Sequence, residues 1–247
     1  RIAAILHDVG HLPFSHSVEK TLGFNHHHLT EKLIGEQEIS SILHKIGLSP
    51  SMVIDFLSKP SVITGIESIL GLDHLDSFFR DTYMAGEIDF LPKDILPKLK
   101  CADNGIETDI DTGLYLTKLI KRDHELFLSP FMVAVDQLLA EAIKYHWEQS
   151  DKETNKEDFV LMGDCDVFTM LKSSPSKKTI EIINTLLYSP DNIKISDRTG
   201  SGQPISVRKI YNRTPLCNGA PLTTISNEAN EIMKSLSSLE FDLEVII

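Results

Sequence analysis

HDVGHLPFSH, residues 7–16, sets three histidines and an aspartate within ten positions, a density that no packed core requires. Its flanks suggest its shape. Residues 2–9 suit a buried helix that ends near Gly10. Pro13 disfavours continuing a helix through Leu12. Ser15 is placed to cap a second helix from about His16 to Leu22, with Gly23 closing it. The crowding extends further, because six of the ten histidines (His7, His11, His16, His26, His27 and His28) fall in the first 28 residues.

Chemistry offers a cause for this clustering. Adjacent helical residues point about 100° apart, so His7 and Asp8 reach one ion only near a helix end or with the carboxylate swung across. An imidazole with a carboxylate suits a borderline or hard divalent ion and needs no thiolate. Taken alone, the dipeptide reads more simply as a histidine bonded to a carbonyl beside a turn residue. Its surroundings shift that balance. His11 and His16 follow four and nine positions after His7, across a bend that Gly10 and Pro13 fix and that can turn both rings to the metal side. Neutral imidazole can act as a general base, and imidazolium can hold phosphate or protonate a leaving oxygen near pH 7.

The stretch resembles the HDxGHxPFSH motif of the HD-domain metal-dependent phosphohydrolases. It is most similar to the branch containing the deoxynucleoside triphosphate triphosphohydrolases and their bacterial and archaeal relatives. That family's metal set runs H…HD…D, with the last aspartate in a DxxDYxxRD-like stretch. Here that stretch is DHLDSFFRD, residues 73–81. The resemblance implies metal ligation by His7, Asp8 and Asp73. It places His11 on a phosphate-contacting position and His16 on a catalytic one, and Glu19 on an acid that orients the proton-transfer histidine. HHHLT (residues 26–30) resembles the HExx[ST] segment and puts His26 on a catalytic histidine, while His27 stands where glutamate is usual. Arg80 and Asp81 match substrate-contacting positions, although a salt bridge within or between helices explains them equally well.

Three departures bear on function. The family's first metal histidine precedes the HD pair, so the resemblance places it before Arg1. RIAAILHD also reads as a helix interior with no cap, and the chain is expected to be a fragment. His44, His74, His124 and His146 are poor substitutes for that ligand. The tyrosine of DxxDY is Ser77, and the tyrosine and histidine of a later YxH pattern are Phe127 and Ser129. Losing a phenol and an imidazole removes contacts that a triphosphate or sugar would use. Metal chemistry is therefore better supported than dNTP specificity.

The implied function is a metal-dependent phosphohydrolase acting on a nucleotide or other phosphate ester, possible dNTP cleavage to deoxynucleoside and triphosphate included. The alternative is a metal-binding nucleotide sensor or regulatory module with little turnover. The cofactor is a divalent ion (Mn, Mg, Fe, Zn, Ni or Co), and a homo-oligomer is the default by analogy with relatives.

Elsewhere the chain reads as mainly α: an HD-domain helical bundle with a small β-hairpin and a C-terminal α+β extension. Leu33, Ile34, Ile42, Leu43 and Ile46 repeat at helical spacing, which predicts one helix from Leu29 to about Ile46, closed by Gly47. Helices are predicted over 50–57, 61–85 (with a break at Gly71), 94–100 and 112–147. Asn104-Gly105 in KCADNGIET signals a hairpin. The polar run 150–158 divides a core of 1–149 from a smaller region, 150–247. That region holds helices near 164–172, 176–188 and 227–238, a mobile loop over 191–206, and a final strand in FDLEVII. A net charge of -12 argues against non-specific binding to nucleic acid or anionic lipid. No apolar run approaches the roughly 20 residues of a membrane span. Three scattered cysteines suggest a reducing, cytoplasmic setting.

Overall fold

Glycine and proline decide where most helices in this chain stop, and they stop more often than the apolar periodicity suggests. The computed structural model describes residues 1–150, 156–207 and 209–247. The predicted helix from Leu29 to Ile46 is two helices, His26–Gly35 and Gln37–Lys45. Gly35 is a poor helix former, and Glu36 turns extended, with φ −66° and ψ 153°. The predicted helix over 112–147 is likewise two, Ile110–Phe127 and Pro130–Gln149. Pro130 has no N–H to donate and biases Ser129 away from helical backbone.

The largest difference lies in 61–85, where only Leu72–Met84 is helical. Residues 61–71 fold back through isolated bridges, Ser61 to Gly65 and Ile66 to Ile69. Two glycines explain this. A Cβ on Gly71 would stand 2.3 Å from the Ile63 carbonyl oxygen and 2.4 Å from the Gly65 nitrogen, and Gly65 takes a φ of +67°. At the start of the chain the expected buried helix is only Ile2–Leu6, with no residue buried. Its apolar content alone misled the reading.

Contacts divide the described residues into two units. One comprises Arg1–Ile54, Pro130–Ser206 and Phe241–Ile247, and the other Asp55–Ser129 and Val207–Glu240. This differs from the single break expected after residue 149, because strand Asp242–Ile246 at the end of the chain pairs back into the first unit. Of the polar connection expected at 150–158, residues 151–155 lie outside the described residues.

The first unit is organised on helix Pro130–Gln149. Its buried face (Ala134, Leu138, Ala142, Ile143) packs with Val167, Leu171 and Ile183 from helices Asp164–Lys172 and Lys177–Tyr188. Leu12 and Leu22 join the same core, which ties the histidine-rich stretch to the most buried part of the unit. A three-stranded antiparallel sheet completes it, with Asp242–Ile246 between Lys194–Asp197 and Gln203–Ser206. These strands occupy much of the segment expected as a mobile loop. The intervening turn is fastened to buried Glu244, whose carboxylate accepts from Thr199 Oγ1 at 2.6 Å, the Gly200 amide at 2.9 Å and Ser201 Oγ at 3.1 Å.

The second unit packs helix Leu72–Met84 on Ile110–Phe127 through Leu75, Phe78, Phe79, Leu116, Leu119 and Ile120. The Asn-Gly hairpin forms as read, with Lys100–Ala102 antiparallel to Gly105–Glu107. Leu216–Cys217 then adds in parallel and Ala220–Pro221 after it. The whole is mainly helical with small sheets, as expected. Among the described residues, no single helix is long and apolar enough to cross a membrane.

Glu244 yields a pH prediction. The Thr199 hydroxyl, opposed by burial and aided by the Gly200 amide, holds its carboxyl down at about 2, against an ordinary value of 4.5. A depressed carboxylate stabilises the fold above its unfolded pKa and loses that contribution as pH falls through the folded one. The difference in thermal midpoint between the wild type and Glu244→Gln is expected to be constant above about pH 5. It should narrow as pH falls toward 2, as read by circular dichroism melts. A pH-independent difference would contradict the clasp.

Candidate functional site

The histidine cluster is assembled in the first unit by a close approach of backbone to backbone. The chain turns after helix Ile2–Leu6, with the His11 amide donating to the Asp8 carbonyl at 3.0 Å. This brings Gly10 against the first turn of helix His26–Gly35. The Gly10 amide donates to Thr30 Oγ1 at 3.1 Å, and that hydroxyl donates on to the His7 carbonyl at 3.3 Å. A Cβ at position 10 would stand 2.3 Å from the Thr30 nitrogen and 2.7 Å from the His26 carbonyl oxygen, so only glycine fits. Asn25 caps the helix by accepting from the His28 amide at 3.1 Å, which fixes His26 in the first turn.

The bend that follows is anchored on its far side. Leu12 and Pro13 are buried, the Phe14 amide donates to Asp164 Oδ1 at 3.1 Å, and the Phe14 ring meets Phe168 edge-on at 5.1 Å. Phe14 and Ser15 both take positive φ, 57° and 50°. Ser15 precedes helix His16–Leu22 as expected but makes no side-chain capping bond, because this backbone replaces the extended geometry a cap requires. Gly23 closes the helix in left-handed conformation.

His7 and Asp8 form a nitrogen–oxygen donor pair. His7 Nδ1 donates to the Ala4 carbonyl at 3.0 Å, which fixes the tautomer and turns Nε2 toward Asp8 Oδ2, 3.2 Å away. At this spacing the two atoms are an ion pair when the ring is protonated, and adjacent ligands of one cation when it is not. Two ligands each ~2.1 Å from an ion and roughly 100° apart stand about 3.2 Å from each other. The pair therefore fits a divalent ion. His11 Nε2 lies 3.6 Å from the second oxygen of Asp8.

Beside this pair, His11, His16 and His26 form a triangle of rings with centroids 4.6 to 5.1 Å apart. Glu19, one helical turn after His16, holds two of them. Its Oε2 accepts from His16 Nδ1 at 3.1 Å, and its Oε1 accepts from His26 Nδ1 at 2.5 Å and from the His26 amide at 2.9 Å. Burial pushes the Glu19 carboxyl up, but the hydrogen bonds from His16 and His26 outweigh it and leave the group below its ordinary value. Burial pushes His26 down from its ordinary value, against the opposing pull of Glu19 and with help from His27 and His11. An ionised carboxylate thus holds a ring whose surroundings favour the neutral form. His27 and His28 are exposed.

The remaining predicted residues lie in the second unit, on helix Leu72–Met84. Asp73 sits in its first turn, where the helix dipole favours a carboxylate. The turn is fixed by the Leu72 and Asp73 amides donating to the Val62 and Ile63 carbonyls at 2.9 and 3.1 Å. Arg80 forms an ion pair with Asp76 four residues earlier, on an exposed face. Burial raises the Asp81 carboxyl above its ordinary value, and the Asp123 charge adds to that. The histidines rejected as ligands have structural partners. His124 is buried, with Nδ1 donating to the Ile120 carbonyl at 2.9 Å and Nε2 accepting from the Tyr211 amide at 2.9 Å. His146 Nδ1 contacts Ser174 Oγ at 2.9 Å.

Sequence reasoning missed two features. Thr30 links His7 to Gly10, and only the spacing of HDVG to HHHLT could have hinted at it. Tyr211 packs its ring 4.4 Å from that of His74, and burial pushes its phenol up to about 12. It lies in RKIY, residues 208–211, a stretch with no motif to single it out.

No family model matches the chain. The fold is shared with the crystal structure of a phosphohydrolase from Bacteroides thetaiotaomicron VPI-5482. The match has a TM-score of 0.65 at 17% identity and covers 98% of this chain and 77% of that one. In sequence, the uncharacterized protein YwfO of Bacillus subtilis (strain 168) is 37% identical over 90 residues, 34% of this chain and 21% of YwfO. The uncharacterized protein YdhJ of the same organism is 26% identical over 196 residues, 75% of this chain and 58% of YdhJ. The chain thus spans between about a fifth and three-fifths of the length of these two relatives.

Two outcomes test the geometry. Gly10→Ala is expected to cost about 1–3 kcal/mol through backbone overpacking, seen as a lowered thermal midpoint; an unchanged midpoint would refute the close approach. In metal-free protein, Glu19→Gln removes the charge that raises His26, so the His26 pKa read by NMR titration should fall further. A rise or no change would show that Glu19 does not support that ring.

Proposed function

We propose that this chain carries the active site of a metal-dependent phosphohydrolase acting on a nucleotide or another phosphate ester. The observation that supports this most is the adjacency, within one unit, of a His7–Asp8 donor pair and two imidazoles held by a single carboxylate. The shared fold with a phosphohydrolase agrees with it. In this reading His7, Asp8 and Asp73 hold the ion. When bound, a divalent cation supplies Lewis acidity toward a phosphoryl oxygen and an attacking water.

The chain's own groups do the rest. Glu19 accepts from Nδ1 of both rings, so the Nε2 atoms of His16 and His26 are the ones that exchange protons. His26, with its pKa lowered, accepts a proton from the attacking water at Nε2. His16 beside the Glu19 anion donates one to the leaving oxygen, and His11 contacts phosphate. The finer reading within this class is cleavage of a dNTP to deoxynucleoside and triphosphate, which rests on the HDVGHLPFSH and DHLDSFFRD resemblance.

The second reading, a nucleotide-binding regulatory module with little turnover, is favoured by the positions that depart from that branch. Ser77, Phe127 and Ser129 stand where that branch has phenols and an imidazole, and Ser129 Oγ donates to the Leu126 carbonyl at 2.7 Å.

The test is release of phosphate or triphosphate from a panel of nucleotides and phosphate esters with Mn, Mg, Co and Ni. Asp8→Ala should abolish turnover, and His26→Ala should lower kcat by about 10²–10⁴-fold, the usual worth of acid–base catalysis. Turnover that survives Asp8→Ala would overturn the reading. Nucleotide binding with no turnover under any metal would favour the regulatory module.

A further inference from the structure

The triangle of His11, His16 and His26 has a property that proton transfer alone does not require. One ring nitrogen from each of the three lies within 4.8 Å of the others. Three ligands placed tetrahedrally around a zinc-sized ion would stand about 3.4 Å apart. His16 is exposed, so its ring has room to turn inward.

The second observation is Glu19. Metal-bound histidines characteristically donate their other N–H to a carboxylate, which fixes the tautomer and raises the basicity of the coordinating nitrogen. Glu19 takes that role for two rings at once, through His16 Nδ1 at 3.1 Å and His26 Nδ1 at 2.5 Å. Both Nε2 atoms are thereby presented as lone-pair donors. The donor set is also unlike the His7–Asp8 pair. It is all imidazole, which suits Zn, Cu, Fe or Ni, whereas carboxylate-containing sets accept Mg and Mn as well.

We infer that His11, His16 and His26 form a second, imidazole-only site for a zinc-class divalent ion, with Glu19 positioning two of its ligands. Three histidines leave a fourth tetrahedral position open. Binding releases any proton on the rings and engages the same Nε2 atoms that would move protons during hydrolysis. The site is therefore inhibitory: zinc suppresses turnover that Mg or Mn supports at the His7–Asp8 pair. Only this last consequence rests on the phosphohydrolase reading; the binding itself does not.

The experiment is Co²⁺ titration of the metal-free protein, followed by its visible d–d absorption, with Zn²⁺ added afterwards as competitor. A strong tetrahedral band is expected, displaced by Zn²⁺. It should be lost in His16→Ala and in His26→Ala and retained in Asp8→Ala and in His28→Ala. Glu19→Gln should keep the band but weaken affinity by about 10–100-fold, the usual effect of losing such a carboxylate partner. Because His16 is exposed, its variant is decisive should His26→Ala fail to fold. Absence of the band in wild type, its persistence in His16→Ala, or its loss in Asp8→Ala would overturn the assignment. A band with this pattern in a protein that hydrolyses nothing would leave the second site standing and remove the phosphohydrolase reading alone.

Discussion

Everything in the candidate site hangs on the absence of a side chain at Gly10. The first turn of helix His26–Gly35 and the turn after Asp8 approach until a Cβ would strike the Thr30 nitrogen at 2.3 Å. That approach makes residues fifteen positions apart in the chain, His11 and His26, into stacked neighbours 4.6 Å apart. Thr30 then serves two masters with one hydroxyl, accepting from Gly10 and donating to the His7 carbonyl. The backbone of the turn proposed to ligate metal is thus fixed by the helix that carries His26, the histidine proposed to transfer protons. The two parts of the proposed chemistry cannot drift independently, which matters because misplacement of about 1 Å can cost roughly 10²-fold in rate.

Glu19 adds an electrostatic constraint to that steric one. It is a partly buried carboxylate whose ionisation is secured by hydrogen bonds from two imidazoles and one backbone amide. In a chain of net charge -12, an anionic substrate meets general repulsion. Under the proposed function, local positive character comes from the rings and from a divalent cation at His7 and Asp8. Glu19 makes the rings available for this by holding Nδ1 and leaving Nε2 outward. In the proposed chemistry the same arrangement serves proton transfer and metal coordination, and the two uses compete for the same nitrogen atoms.

How much of this was legible in the sequence follows from what kind of signal each feature leaves. HDVGHLPFSH announced donors, a bend and a helix start, and the structure places those donors side by side. The Asn104-Gly105 hairpin was legible because turn chemistry is local. The helix breaks at Glu36 and over 61–71 were not, since apolar spacing continues through them, and only the contact between Gly65 and Gly71 shows why the backbone must turn. The segment 191–206 looked mobile because its Gly, Ser and Pro content is that of a loop. Its order comes from Glu244, more than forty residues downstream, and a long-range clasp leaves no local pattern.

The helix that carries the DHLDSFFRD resemblance has electrostatics of its own. In the stretch that resembles DxxDYxxRD, Arg80 spends its guanidinium on Asp76, and this exposed pair contributes little to stability. An arginine paired this way can exchange a carboxylate for a phosphate at small cost, whereas a buried one could not. Asp81 is different: burial, and after it the nearby Asp123 charge, raise its carboxyl above its ordinary value. A helix that presents an exchangeable arginine and a carboxyl with a raised pKa is better suited to an anionic ligand than its formal charges suggest. The positions where the family's DxxDY and YxH patterns set phenols and an imidazole are Ser77, Phe127 and Ser129 here, so those polar groups are lost from this unit while its arginine is kept.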